Sequence, residues 1–252
     1  CHECQTSISQ AELEDKEFDS NFVTLKFVCD KKDLLIATTR PELIGACVAI
    51  FVNPLDKKYK NLIGRKAKAP LFNFEVPIID DKFADQNKGT GALMICSYGD
   101  KYDVDAVNRY KLTPRVIFNK NGTLNLEGYE GLKIKEARKK IIEELAKKNL
   151  IKETKKITHV VNVHDKCGTE IEFIPTDQWF IKILENKKNW IAQGKKINWS
   201  PEFMNKRYEN WVNGLEWDWN ISRNRHFGVP IPVWYCENCN ETILAYEKEL
   251  PV

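Results

Sequence analysis

The chain has 252 residues, with 39 Lys+Arg against 36 Asp+Glu and a formal net charge of +3. At 42% hydrophobic and 30% charged residues it is too apolar for general disorder. No uncharged apolar run approaches the roughly 18 residues of a membrane span, so no span is expected, and no signal peptide is expected from the first residues.

Such a length buries a full core and suggests one large or two modest domains. Eight cysteines are present, and their spacing matters more than their number. Cys1-x-x-Cys4 and Cys236-x-x-Cys239 pair at metal-ligand spacing, whereas Cys29, Cys47 and Cys96 sit alone in apolar runs. A secreted disulfide scaffold is shorter and more evenly studded. The pattern fits a reducing, cytoplasmic compartment with two metal knuckles and inert core thiols. The chain starts on Cys1 without Met and stops at Pro251-Val252, so it is expected to be a piece of something longer.

In chain order, Gln5 to Glu17 reads as a polar stretch after the first knuckle. Strand signals follow at Phe22–Val28, Leu34–Thr39 and Cys47–Val52, and Asn53-Pro54 ends the last. Val76–Ile79 and Ala92–Cys96 read as short buried strands, the second after a Gly89-Thr90-Gly91 turn. A helix is predicted over Tyr102–Tyr110. A clearer one covers Lys133–Asn149, where Ile134, Ala137, Ile141, Ile142 and Leu145 make an apolar stripe opposite Lys and Glu. Ile157–Val163 is a strand candidate. Six of the seven tryptophans lie between Trp179 and Trp219, which marks a boundary near 156–178. The expected fold class is α+β and β-rich, with a more helical second piece. The Trp-rich stretch reads as core rather than as a base-stacking platform.

Three constellations carry chemistry. Zinc takes four N/S ligands in a tetrahedron, and a C-x2-C pair supplies two of them. Cys1 and Cys4 need two more, and His164-x-x-Cys167 supplies them, with Gly168 allowing the turn. His2 is the rival fourth ligand, and an unmetallated exposed loop is the plain alternative. Cys236 and Cys239 have no partners downstream. Full thiolate and imidazole shells leave no open position, so these sites read as structural. The second constellation is Thr38-Thr39-Arg40-Pro41-Glu42 at a strand end, where Arg40 suits a phosphate or carboxylate. A solvated Arg–Glu pair is the plain alternative. The third is Gly89 to Asp103, in which Asp100 and Asp103 share one face of a first helical turn. Helix capping alone also explains that pair.

Together and in this order, these pieces resemble the editing domain inserted into class I aminoacyl-tRNA synthetases for valine, isoleucine and leucine. The Thr-Thr-Arg-Pro-Glu turn and the Gly-Thr-Gly strand leading to an Asp pair are its signature segments. The tail from Trp217 to Pro232 resembles the return into the synthetic domain in valyl and isoleucyl enzymes. The segment after the first knuckle, Thr176–Phe180, Asn210–Trp219 and Gly99-Asp100-Lys101 resemble the archaeal-like valyl branch. Isoleucyl sites keep the aspartate matching Asp103 but usually not Asp100.

The resemblance implies a barrel-like editing domain with flanking helices over 18–156. Residues 1–17 and 157–178 form the zinc knuckle and connector strands, and 179–252 is a partial synthetic segment with half of a second knuckle. It implies hydrolysis of threonine wrongly esterified to valine tRNA, at the tRNA 3′ acceptor end. For valyl enzymes, the standard illustration of this limit, a hydrophobic pocket rejects threonine only about 10²-fold, so a second site is needed. Asp103 is implied to bind the substrate ammonium and Asp100 the threonine hydroxyl. Valine leaves that carboxylate unpaired, at roughly 1–3 kcal/mol. Arg40 is implied to hold the terminal adenosine or its phosphate, with Thr38, Thr39 and Glu42 at the same pocket.

Zinc is implied as structural, and neither a metal nor a covalent nucleophile is needed for the hydrolysis. The family is usually monomeric. Met94 stands where many members carry Lys, and Leu43 and Cys96 where they carry Thr. No His-x-Gly-His or Lys-Met-Ser-Lys-Ser motif is present, so ATP-dependent aminoacylation is expected of the longer protein only. An isoleucyl-type editing domain acting on valine and a non-catalytic zinc-stabilised tRNA-binding module are the rival readings. The basic segment Lys133–Lys156 reads either as a solvated face or as a contact for the acceptor end.

Overall fold

A computed structural model describes residues 1–225 and 228–250. His226 and Phe227 of the tail motif, and Pro251-Val252, lie outside the described residues. The chain divides into two units, one of residues 1–5 with 11–177 and one of 6–10 with 178–252.

The first unit carries β1 (Leu13–Cys29), β2 (Lys32–Thr38), β3 (Cys47–Val52), β4 (Lys66–Lys68), β5 (Glu75–Asp80), β6 (Ala92–Cys96), α1 (Lys101–Tyr110), α2 (Ile134–Lys147) and β7 (Ile151–His164). The strand order is β2-β1-β4-β5-β3-β6, with β7 also paired to β1. Every pairing is antiparallel except β3 with β5. The end strands β2 and β6 approach each other, so the sheet curls into a half-barrel. The unit is therefore β-rich α+β with few helices.

Local pattern explains the core. In the second half of β1, Val23, Leu25, Phe27 and Cys29 are buried and alternate with more exposed residues, the period of a half-covered strand. All six residues of β3 are buried because both its faces are covered. Ile50 and Val52 join the larger core with α2, and Ala49 and Phe51 join a smaller one with Ala106 and Val107 of α1. The α2 stripe Ile134, Ala137, Ile141 and Leu145 is fully inward. Burying Ile141 and Leu145 contributes roughly 1.5–3 kcal/mol each.

Three features differ from the expectation. Residues 13–17, read as part of the polar stretch, and 18–21, which precede the predicted strand at Phe22–Val28, form most of the first half of β1. That half pairs with β7 along its length as a two-stranded ribbon whose side chains are mostly exposed, and only Leu13, Phe18 and Phe22 in it are apolar, too few to mark a strand. Lys152–Lys156, counted with the basic helix, belongs to β7 for the same reason. β1 also runs unbroken through position 17, so the connector and the body share one sheet.

The second unit holds β8 (Phe180–Ile181), α3 (Lys187–Gly194), α4 (Met204–Gly214), β9 (Trp219–Asn220), β10 (Val233–Tyr235) and β11 (Thr242–Leu244). The Tyr208 hydroxyl donates to Trp190 O at 3.0 Å, and its ring lies against Trp199. None of the seven tryptophans is fully buried, against the expectation of a Trp core. Two short helices and two strand pairs enclose too little volume to cover side chains of that size. No helix of the described residues is long and apolar enough to cross a membrane.

Candidate functional site

β2 ends at Thr38, whose Oγ1 accepts the Arg40 N–H at 3.0 Å. Pro41, with its φ set for a turn, starts a 3-10 turn over Pro41–Ala46 in which every residue is buried. That burial carries Glu42 inside, where it is 0% exposed. A buried carboxylate needs partners. Arg40 Nε donates to its Oε1 at 3.0 Å, and Arg138 from α2 donates twice, at 2.9 Å each. Arg40 Nη2 also donates to Glu172 at 2.7 Å, a residue 132 positions away with a side chain 3% exposed. The Arg–Glu pair of the sequence is thus part of a buried four-membered network rather than a solvated pair. Burial opposes the Arg40 charge, but Glu172 and then Glu42 outweigh it and raise its pKa. Burial pushes the Glu172 carboxyl up, against the pull of Arg40.

The second signature segment meets the first here. Arg40 Nη1 donates to Gly99 O at 3.3 Å. One residue on, Asp100 is exposed at the start of α1 and caps it, accepting the Asp103 N–H at 2.8 Å. Capping accounts for Asp100 but not for Asp103. Asp103 is 7% exposed, and its Oδ1 accepts the Cys96 N–H at 3.1 Å. Burial, then the neighbouring Asp100 charge, raises the Asp103 pKa to about 8. A Cβ on Gly99 would run into the Asp103 carboxylate, so this position needs glycine for close approach rather than for φ.

Around the pair, Leu43, Met94 and Cys96 are buried. The hydrogen bond to Asp103 does not depend on the side chain at 96, because the donor is backbone. Thr39 is half-buried at the same strand end. A small open cleft is lined by Leu43, Tyr98, Arg115, Ile117, Phe173 and others.

The cysteine and histidine candidates separate into two cases. The ligand atoms of Cys1, Cys4, His164 and Cys167 all lie within 4.8 Å of one another. His164 Nδ1 is 3.2 Å from Cys167 Sγ and 3.7 Å from Cys4 Sγ, and Cys167 Sγ is 3.6 Å from Cys1 Sγ. A tetrahedron with Zn–S near 2.3 Å has S···S edges of about 3.8 Å, so the group fits a metal. Cys167 is drawn down to about 7, first by hydrogen bonding to Thr169, which favours the ligating thiolate.

His2 does not join the group. Its ring packs on Gly122, and its buried Nδ1 has no hydrogen-bond partner among the described residues. Cys236 and Cys239 sit at the β10–β11 turn, where Asn240 N donates to Cys236 O at 2.8 Å. Among the described residues no third ligand converges on them. Residues the motifs did not reveal are Arg138 and Glu172. The only signal for Glu172 is its place in the alternating run Thr169-Glu170-Ile171-Glu172-Phe173.

A family model described as tRNA synthetases class I (I, L, M and V) matches residues 1–250. The valine–tRNA ligases of Thermoplasma volcanium and Thermoplasma acidophilum are each 48% identical over all of this chain, which covers 32% of their length. That of Methanocaldococcus jannaschii is 44% identical, again over the whole chain and 29% of its own length. The chain thus spans about a third of the length of these relatives. A crystal structure of a ternary complex of an Agrobacterium radiobacter K84 LeuRS with tRNA and LeuAMS matches at TM-score 0.43 and 19% identity, over 93% of this chain and 25% of that one.

Proposed function

The chain belongs to the class I tRNA synthetases of the I, L, M and V group, and from that premise we propose that it is the editing part of a valine–tRNA ligase, hydrolysing threonine wrongly esterified to valine tRNA. One observation carries the reading: Arg40 joins the two signature segments at Gly99, beside an exposed Asp100 and a buried Asp103.

The two carboxylates have different environments and take different roles. Asp103 lies deep, and in the empty site at neutral pH it is mostly protonated. On binding of the substrate ammonium the Asp103 carboxyl releases its proton to solvent, and the resulting ion pair fixes the amino acid end. Asp100 lies at the rim and accepts the threonine γ-hydroxyl. A valyl ester offers a methyl group there, which shuts water from the carboxylate oxygen it covers and gives that oxygen no donor, at roughly 1–3 kcal/mol. Thr38 and Thr39 line the pocket edge. Water attacks an ester that is already activated.

The Cys1, Cys4, His164 and Cys167 group holds a structural zinc in this reading. A bound zinc ties the first residues to the end of β7, where Leu13 and His164 pair, and so closes the ribbon. It supplies no step of the hydrolysis.

The test is single-turnover deacylation of threonyl-esterified valine tRNA by the 252-residue chain. Hydrolysis by the wild type, with Asp103→Ala slower by about 10²-fold or more, is the expected result. A folded wild-type chain that binds the tRNA without releasing threonine refutes the reading and favours a tRNA-binding module.

A further inference from the structure

We propose that Arg40 is a positioning residue for the aspartate pair rather than a phosphate ligand, and that Glu172 holds it in place. The inference rests on the editing reading and assigns one more part of the same site.

Every nitrogen of the Arg40 guanidinium is engaged inside the protein, Nε with Glu42, Nη1 with Gly99 O and Nη2 with Glu172. Its side chain is 23% exposed, and those of Glu42 and Glu172 are 0% and 3% exposed. With Arg138 on Glu42, two guanidiniums face two carboxylates and the formal charges cancel. An arginine that grips phosphate presents its planar fork to the ligand. This fork is turned inward, and what it holds is the carbonyl just before Asp100.

Glu172 is itself delivered by rigid backbone. After β7 the chain turns through His164 to Thr169, with His164 N donating to Thr169 O at 2.9 Å. It then runs back along β7, where Ile171 N donates to Asn162 O at 3.1 Å. The Cys/His turn therefore sets the run that places Glu172 on Arg40. A relay results, from Glu172 through Arg40 and Gly99 to Asp100 and Asp103. Displacing a reacting geometry by about 1 Å costs on the order of 10²-fold in rate, so a small slip at Glu172 is felt at the aspartates.

The experiment compares the 252-residue chain with Glu172→Gln, Glu172→Asp and Arg40→Lys. Two readouts are taken: single-turnover deacylation of threonyl-esterified valine tRNA across tRNA concentration and salt, and backbone amide NMR signals of Gly99, Asp100 and Asp103. Glu172→Gln is expected to lower the saturating rate about tenfold or more. The half-saturating concentration and its salt dependence stay within about twofold, since no phosphate contact is lost. The Gly99 and Asp100 amide signals move. Glu172→Asp, which keeps the charge on a shorter arm, recovers part of the rate.

The proposal is overturned if Glu172→Gln and Arg40→Lys raise the half-saturating concentration and flatten its salt dependence while those amides stay put. Should Glu172→Gln not fold, Glu172→Asp and Arg40→Lys decide by the same readouts. A wild type that releases no threonine sinks the editing reading alone. The NMR arm then judges the relay, and unmoved Gly99 and Asp100 signals in a folded variant reject it.

Discussion

Asp103→Asn is expected to stabilise the chain at neutral pH while removing its activity. The Asp103 carboxyl titrates near 8 in the folded state against an ordinary 3.8. Between those values the folded chain holds a proton that the unfolded chain has released, so stability falls as pH rises through that window. At pH 7 the shift costs the folded state about 4 kcal/mol, and at pH 4 less than about 1 kcal/mol. Asn has nearly the shape of the neutral acid. It keeps an oxygen for the Cys96 N–H and it cannot ionise.

The variant is therefore expected to gain about 3–4 kcal/mol at pH 7 and almost nothing at pH 4. At about 2–4 °C per kcal/mol for a chain of this size, Tm at pH 7 rises by roughly 10 °C. Paired calorimetric melts of both proteins from pH 4 to 8 measure this. Protonation of the Cys/His group affects both proteins alike, so the difference isolates position 103. A variant less stable than wild type at pH 7, or a difference that does not change with pH, refutes the reasoning.

Gly99→Ala displaces the Asp103 carboxylate and only brushes Leu43 Cδ1 at 3.1 Å, so deacylation is expected to fall at least about tenfold with an unchanged circular dichroism spectrum. Glu42→Gln leaves Arg40 and Arg138 without their shared buried counter-charge, and denaturant melts are expected to show a loss of about 3–5 kcal/mol. Cys167→Ser is expected to lower the bound metal, read by elemental analysis, from one zinc per chain to none. In the same variant, amide exchange should rise in residues 13–22 and 155–164, the ribbon that the group closes.

What was legible in the sequence follows from what each element buries. α2 could be read because a fourteen-residue helix lying on a core must show its stripe. β3 could be read because both faces are covered and all its side chains are apolar. Of the ribbon, Ile157–Val163 in β7 could be read, but the first half of β1 could not, because backbone pairing holds it while its side chains mostly face water. The Asp pair, the Arg-Pro-Glu turn and the four metal-spaced ligands stood out because each is a local cluster. Their closest supports did not. Glu172 and Arg138 reach their partners across 132 and 96 residues as single charged side chains in ordinary surroundings. The distinct environments of Asp100 and Asp103 were equally hidden, since spacing places them on one face but says nothing of depth. The tryptophan cluster misled because aromatic density looks like core, and the second unit leaves those rings half-buried or exposed.

The central claim is that Asp100 selects threonine by its hydroxyl. Single-turnover deacylation of threonyl- and valyl-esterified valine tRNA, measured side by side for the wild type and Asp100→Ala, tests it most directly. The account predicts a wild-type preference for the threonyl ester of about tenfold or more, collapsing towards unity in the variant through loss of threonyl turnover. A preference that survives Asp100→Ala intact contradicts it.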